Sequence, residues 1–201
     1  MNKIQNVGIY ILAEYGKEAG TIELNKLYYL VDVASYRLFG ETLSGVRYIR
    51  AEKGPYSREI SRELCLLEGR GVIRETKPSK GASTFPKVAW SIDKSTVVEP
   101  DLEAVEKELI DQVLRKVKGL APRDLEKLSY NTEPMLDVLD QEAKNTCPLL
   151  QEKLDFGKIK RDEFMQKFLA NSQRPMSEEE QECMEFCNKE WAEVELLLKS
   201  H

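Results

Sequence analysis

At 201 residues, with 30 Lys and Arg against 35 Asp and Glu and a formal net charge of −5, the chain is long enough to bury a core. It is also too acidic for a stand-alone nucleic-acid-binding module. A content of 41% apolar and 32% charged residues excludes an intrinsically disordered chain. The single histidine is the terminal His201, so Cys–His and Ser–His–Asp nucleophiles have no credible base, and a histidine-ligated metal has no ligand set.

No apolar run reaches the roughly 18 residues that span a bilayer. The apolar stretch 9–13 is too short and too early punctuated for a signal peptide, which makes the cytoplasm the expected compartment. In a reducing compartment Cys65, Cys147, Cys183 and Cys187 are expected as free thiols packed as small apolar groups. Cys183 and Cys187 stand one helical turn apart, but two thiolates make only half a zinc site. No metal, cofactor or catalytic residue is assigned, and no enzyme activity is expected.

In chain order, Ile4, Val7, Ile11 and Tyr15 recur at helical spacing and predict a helix over 3–15. Gly16 and Gly20 bracket a loop, and Thr21 is a plausible N-cap for a second helix with Leu24, Leu27, Tyr28 and Val31 on one side. Gly40 suits the left-handed position that ends it. Residues 46–51 alternate apolar and charged side chains and predict a short strand, after which Gly54-Pro55 turns the chain. Ser57 then caps a helix with Ile60, Leu64 and Leu67 facing inward. Arg58 and Arg62, and Glu59 and Glu63, stack on its outer side.

Residues 72–77 and 85–92 predict two strands around a breaker-rich loop at 78–83. A long amphipathic helix follows from about 101 to 118, marked by Leu102, Val105, Leu109, Val113 and Val117. Pro122 opens a short helix, and residues 131–134 break it and cap the next. Further helices are expected over 158–170 and 177–199, the last with Cys187, Trp191, Val194 and Leu198 in a stripe. The order helix, helix, strand, helix, hairpin suggests a winged-helix-like N-terminal core.

Taken together, Lys26-Leu27-Tyr28 with Asp32, Tyr36 and Gly40, then Ser44-Gly45 with Tyr48, and Gly54-Pro55 resemble the opening of the Panacea domain. That domain defines the SocA-like antitoxin family of bacterial and phage toxin–antitoxin systems. The resemblance covers roughly residues 5–140. Leu128-Ser129 and Glu133-Pro134 are similar to a second family element, although Tyr130 stands where the family often has histidine and no tryptophan follows the proline. The resemblance implies a mainly α domain with a small β element (α+β). It implies an antitoxin that neutralises a cognate protein toxin, encoded nearby, by direct binding. In the SocA branch it further implies an adaptor that presents the toxin to a AAA+ protease. The domain is expected over 1–145, with 146–201 a helical extension packing on it or extending it.

Within this frame, Tyr28 lies on the apolar stripe and is expected in the core. Tyr29 and Tyr36 fall nearer the polar side and are read either as ordinary surface or as contacts with a partner. Asp32, mid-helix among apolar neighbours, is expected to pair with Arg47 or Arg50. Residues 41–93 hold ten Lys or Arg against seven Asp or Glu, while 94–201 hold sixteen against twenty-four. The basic cluster suits either an acidic protein partner or DNA phosphates. Glu59, Glu63 and Glu68 on the would-be recognition helix weigh against DNA, leaving a winged-helix-like transcription regulator as the alternative reading. The candidate partner-binding residues are Tyr29, Tyr36, Arg47, Tyr48, Arg50, Lys53 and Arg58. Lys26, Asp32, Gly40, Gly45, Gly54 and Pro55 are expected to shape the motif. The toxin's identity and any homo-oligomer are not legible in the chain.

Overall fold

The architecture comes from a computed structural model that describes residues 1–76, 88–92 and 98–161. The described residues follow the mainly α expectation, with a small antiparallel β component. Helix α1 (Lys3–Tyr15) is capped by Asn2, whose side chain accepts from the Gln5 N–H, and closes on Gly16. Helix α2 (Thr21–Phe39) closes on Gly40 at φ 81°, the left-handed geometry that glycine adopts at little cost. Thr21 is not the cap: it is the first helical residue, and its hydroxyl accepts from Trp90 Nε1 at 2.9 Å. The Glu23 carboxylate reaches back to the Gly20 N–H instead.

Strand β1 (Ala19–Gly20) pairs antiparallel with β5 (Ala89–Ile92), which pairs in turn with β4 (Ile73–Thr76). The expected loop at 78–83 lies outside the described residues. The second sheet is a hairpin of β2 (Ile49–Ala51) and β3 (Gly54–Tyr56), with Arg50 opposite Pro55. This corrects the expectation at Gly54-Pro55, which forms the return strand while Glu52 and Lys53 make the turn. Proline is tolerated there for a plain reason. Both backbone groups of Arg50 bond the other way, to Gln151 and Glu152, so the missing N–H of Pro55 faces no carbonyl that needs it.

Helix α3 (Arg58–Gly69) buries Ile60, Leu64 and Leu67 under the Ser57 cap. Glu63, placed on the outer side by simple periodicity, is in fact buried and accepts from Asn2 and Gln5 on α1. Helices α4 (Ala104–Val117), α5 (Pro122–Tyr130) and α6 (Glu133–Asn145) follow, α5 with proline at its start. Val105 of α4 is exposed, and Leu109, Ile110, Leu114 and Val117 form the inward face. The core is built around α2, with Leu24, Leu27, Tyr28 and Val31 nearly inaccessible to solvent.

Residues Met1–Arg161 form one compact unit. Its last part is a single 3-10 turn (Phe156–Lys158) and then non-helical chain, so no helix has begun by Arg161. The rest of the helix expected over 158–170, and the one over 177–199, lie outside the described residues. Cys65 and Cys147 are free, as expected, but exposed instead of packed as apolar groups. No helix among the described residues is long and apolar enough to cross a membrane.

Candidate functional site

The residues singled out in the sequence converge on α2, whose polar side chains tie several other elements together. Asn25 accepts from the Ser57 N–H at 2.7 Å, fixing the start of α3. Lys26, buried against α5, pairs with Glu126 at 3.4 Å, and burial lowers the pKa of its ammonium despite that carboxylate. Ser35 donates to the Glu41 carbonyl, and Arg37 pairs with Glu133 at 2.7 Å.

Asp32 lies at the centre of this arrangement and is fully buried. Its carboxylate accepts from the Ser44 N–H at 2.8 Å, from the Ser44 hydroxyl, and from Tyr48 Oη at 2.6 Å. No ion pair with Arg47 or Arg50 forms, which corrects the expectation for this residue. Arg47 is exposed, and Arg50 forks onto Glu142 at 3.2 and 3.4 Å. Burial pushes the Asp32 pKa up to about 6, against the opposing pull of the Ser44 and Tyr48 hydrogen bonds. The chain from Leu43 to Tyr48 is thereby pinned to α2 by hydrogen bonds to one carboxylate.

A second knot joins α2 to the start of α6. Tyr29 is fully buried, not on the polar side, and its hydroxyl lies 2.7 Å from Thr132 Oγ1. Thr132 spends its own proton on the Ser129 carbonyl, so Tyr29 is the donor. Gly54, at φ 98°, lies under α5: a Cβ there would meet the Tyr130 ring at 2.8 Å. Tyr130 receives Arg50 at its hydroxyl and bonds the Glu52 carbonyl. The two sequence elements that carry the resemblance, 26–55 and 128–134, therefore pack on each other.

The candidate partner-binding residues divide by burial. Tyr29, Tyr48 and Arg50 are buried. Tyr36 is half-buried, and Arg47, Lys53 and Arg58 are exposed around the hairpin. What the sequence reading missed is a covering strap. Residues 149–159 run along the free edge of β2 and place Phe156 against Tyr29, Tyr36 and Tyr48, with ring centroids 5.7, 5.9 and 5.8 Å away. The sequence signal for it is the set of apolar residues Leu149, Leu150, Leu154, Phe156 and Ile159 among polar neighbours. Elsewhere, a concavity of about 240 Å³ is lined by Glu14, Tyr15, Asp111 and Arg115 among others. Asp111 there accepts from Tyr10, whose hydroxyl is pushed up to about 12 by burial and by that carboxylate.

The family model described as antitoxin SocA-like, Panacea domain, matches residues 24–134. The chain belongs to this family. The matched span starts within α2 and ends at the start of α6, so it contains the Asp32 knot, the Tyr29–Thr132 knot and the Gly54 contact. No curated protein and no solved structure matches the chain. Within the Panacea domain, the motif residues Lys26, Asp32, Ser44, Tyr48 and Gly54 are engaged in holding the domain together.

Proposed function

We propose that this Panacea-domain protein neutralises a cognate protein toxin by direct binding in the cytoplasm and carries out no chemistry of its own. The observation that supports this reading is the family match over more than half of the chain, residues 24–134. The surface assigned to the toxin comprises Arg47 before β2, Lys53 at the hairpin turn and Arg58 at the start of α3, with Tyr36 on α2. Three exposed cations suit an acidic toxin surface and raise the rate of encounter with it. Tyr29, Tyr48 and Arg50 act from beneath by fixing the hairpin's position. Residues 1–145 are proposed as the antitoxin domain and 146–201 as its extension.

The test is co-expression with the product of the neighbouring reading frame. Rescue of growth from that product, together with co-purification, is the expected result. Failure to bind it, combined with a salt-sensitive gel shift on the upstream promoter, would favour the transcription-regulator reading instead.

A further inference from the structure

The strap that covers the tyrosines is held in a way that a foreign peptide could copy. Gln151 N–H donates to the Arg50 carbonyl at 2.8 Å, Arg50 N–H to the Glu152 carbonyl at 2.7 Å, and Leu154 N–H to the Tyr48 carbonyl at 3.0 Å. Ile49 and Lys153 stand opposite one another as an antiparallel bridge. All of these bonds are main chain to main chain, so they place little demand on sequence. The side-chain anchors nearby are Leu154 and Ile159, which are buried, and the half-buried Phe156 ring. Gln151, Glu152, Lys153 and Asp155 between and around them are exposed.

Two further observations separate the occupant from the groove. The β2 edge and the socket of Tyr29, Tyr36 and Tyr48 lie inside the matched domain, whereas residues 149–159 lie beyond its end at 134. The strap is also reached through two non-glycine residues in the left-handed region, Thr146 at φ 52° and Gln151 at φ 72°. At Thr146 this conformation ends α6, whereas Gln151 lies within the strap itself, so release of the strap frees Gln151 from it.

We infer that the β2 edge and the tyrosine socket form a docking groove for an extended polypeptide segment that carries an apolar residue followed, two positions later, by an aromatic one. Residues 151–156 fill that groove in cis, and a strand of the toxin replaces them on binding. The mode is strand addition: main-chain bonds supply affinity, and the pockets for alternate side chains supply selectivity. The identity of the partner rests on the antitoxin reading, whereas the groove and its exchange do not.

The probe is a fluorescein-labelled peptide of residues 149–161, titrated against the full-length chain by fluorescence anisotropy. A tethered strap competes at an effective concentration of order millimolar, so wild type should bind the peptide weakly. The Leu154→Ala, Phe156→Ala double variant, checked for native circular dichroism, should bind it at least about tenfold more tightly. A peptide with alanine at both anchor positions should lose that gain. Equal, weak binding to wild type and to a folded double variant would overturn the inference. Where the variant fails to fold, hydrogen exchange on wild type decides: the Gln151 and Leu154 amides should exchange at least about a hundredfold faster than those of Leu27 and Val31. Matching protection would make the strap a permanent third strand and overturn the inference. A failed peptide titration beside intact toxin neutralisation would sink this inference alone. Exchange of the peptide without capture of any toxin would sink the antitoxin reading alone.

Discussion

Asp32 has a pKa raised from 3.8 to about 6, because burial outweighs the donors that face it. An acid with a raised folded-state pKa binds its proton more tightly when folded, so stability falls as pH rises from about 4 through about 6 and stays lower above. A shift of about 2 units corresponds to about 3 kcal/mol. The neighbours that respond to this charge are Tyr28 and Tyr48, whose own hydroxyls burial pushes upward. Asp32→Asn keeps an acceptor for the Ser44 N–H and lets the two hydroxyls accept. Denaturant unfolding at a series of pH values should therefore show wild type losing about 3 kcal/mol relative to Asp32→Asn between pH 4 and pH 7. Parallel pH profiles would remove Asp32 as the source. Gly54→Ala is a second test at this scale. A positive φ and a contact with Tyr130 at 2.8 Å both oppose the new methyl, and a loss of about 2 kcal/mol or more is expected in the same assay.

Among the elements, α2 was the most legible, because its apolar spacing, its Gly40 stop and its buried Tyr28 all agree. Its polar side was less so. The donors to Asp32 are the Ser44 hydroxyl and N–H and the Tyr48 hydroxyl, all uncharged and all from the chain beyond the helix, so a charge-pairing rule points to arginine instead. Tyr29 and Glu63 were placed outward because periodicity assumes solvent on the far side of a helix. Here Thr132, Tyr48 and Phe156 cover Tyr29, and α1 with its cap covers Glu63, so both residues are buried. Gly54-Pro55 has the composition of a turn, since both residues usually punctuate; the register that sets Pro55 opposite Arg50, whose backbone groups bond away from it, makes a proline strand acceptable. Tyr29→Phe tests this picture, since it removes the donor to Thr132 and should cost about 1 kcal/mol of stability. Because Tyr29→Phe keeps the ring that lines the groove and removes only a hydroxyl turned to Thr132, the same variant should bind toxin as well as wild type does in a pull-down. A large loss of capture in a stably folded Tyr29→Phe protein would mean that the partner needs the hydroxyl itself.

At the scale of the whole molecule, fold class and family were both legible, because the motif residues are the ones that build the interior and their spacing is fixed by that task. The exposed residues proposed to select a partner obey no such spacing. The strap lies beyond the family pattern, and its apolar residues, Leu149, Leu150, Leu154, Phe156 and Ile159, follow neither a helical nor a strand period throughout. The two roles proposed for residues 24–134, an interior held by the motif and a basic rim that meets the partner, make opposite demands on mutation. Interior changes that keep the tyrosine rings should move stability and leave affinity, while changes at Arg47, Lys53 and Arg58 should do the reverse.

The most direct measurement is calorimetric titration of the purified chain with the protein encoded beside it, comparing wild type with the Arg47→Glu, Arg58→Glu variant. A one-step complex with wild type is expected, weakened at least about tenfold by the double reversal while the unfolding midpoint stays unchanged. Equal affinity for both proteins, or no complex with either, would contradict the account.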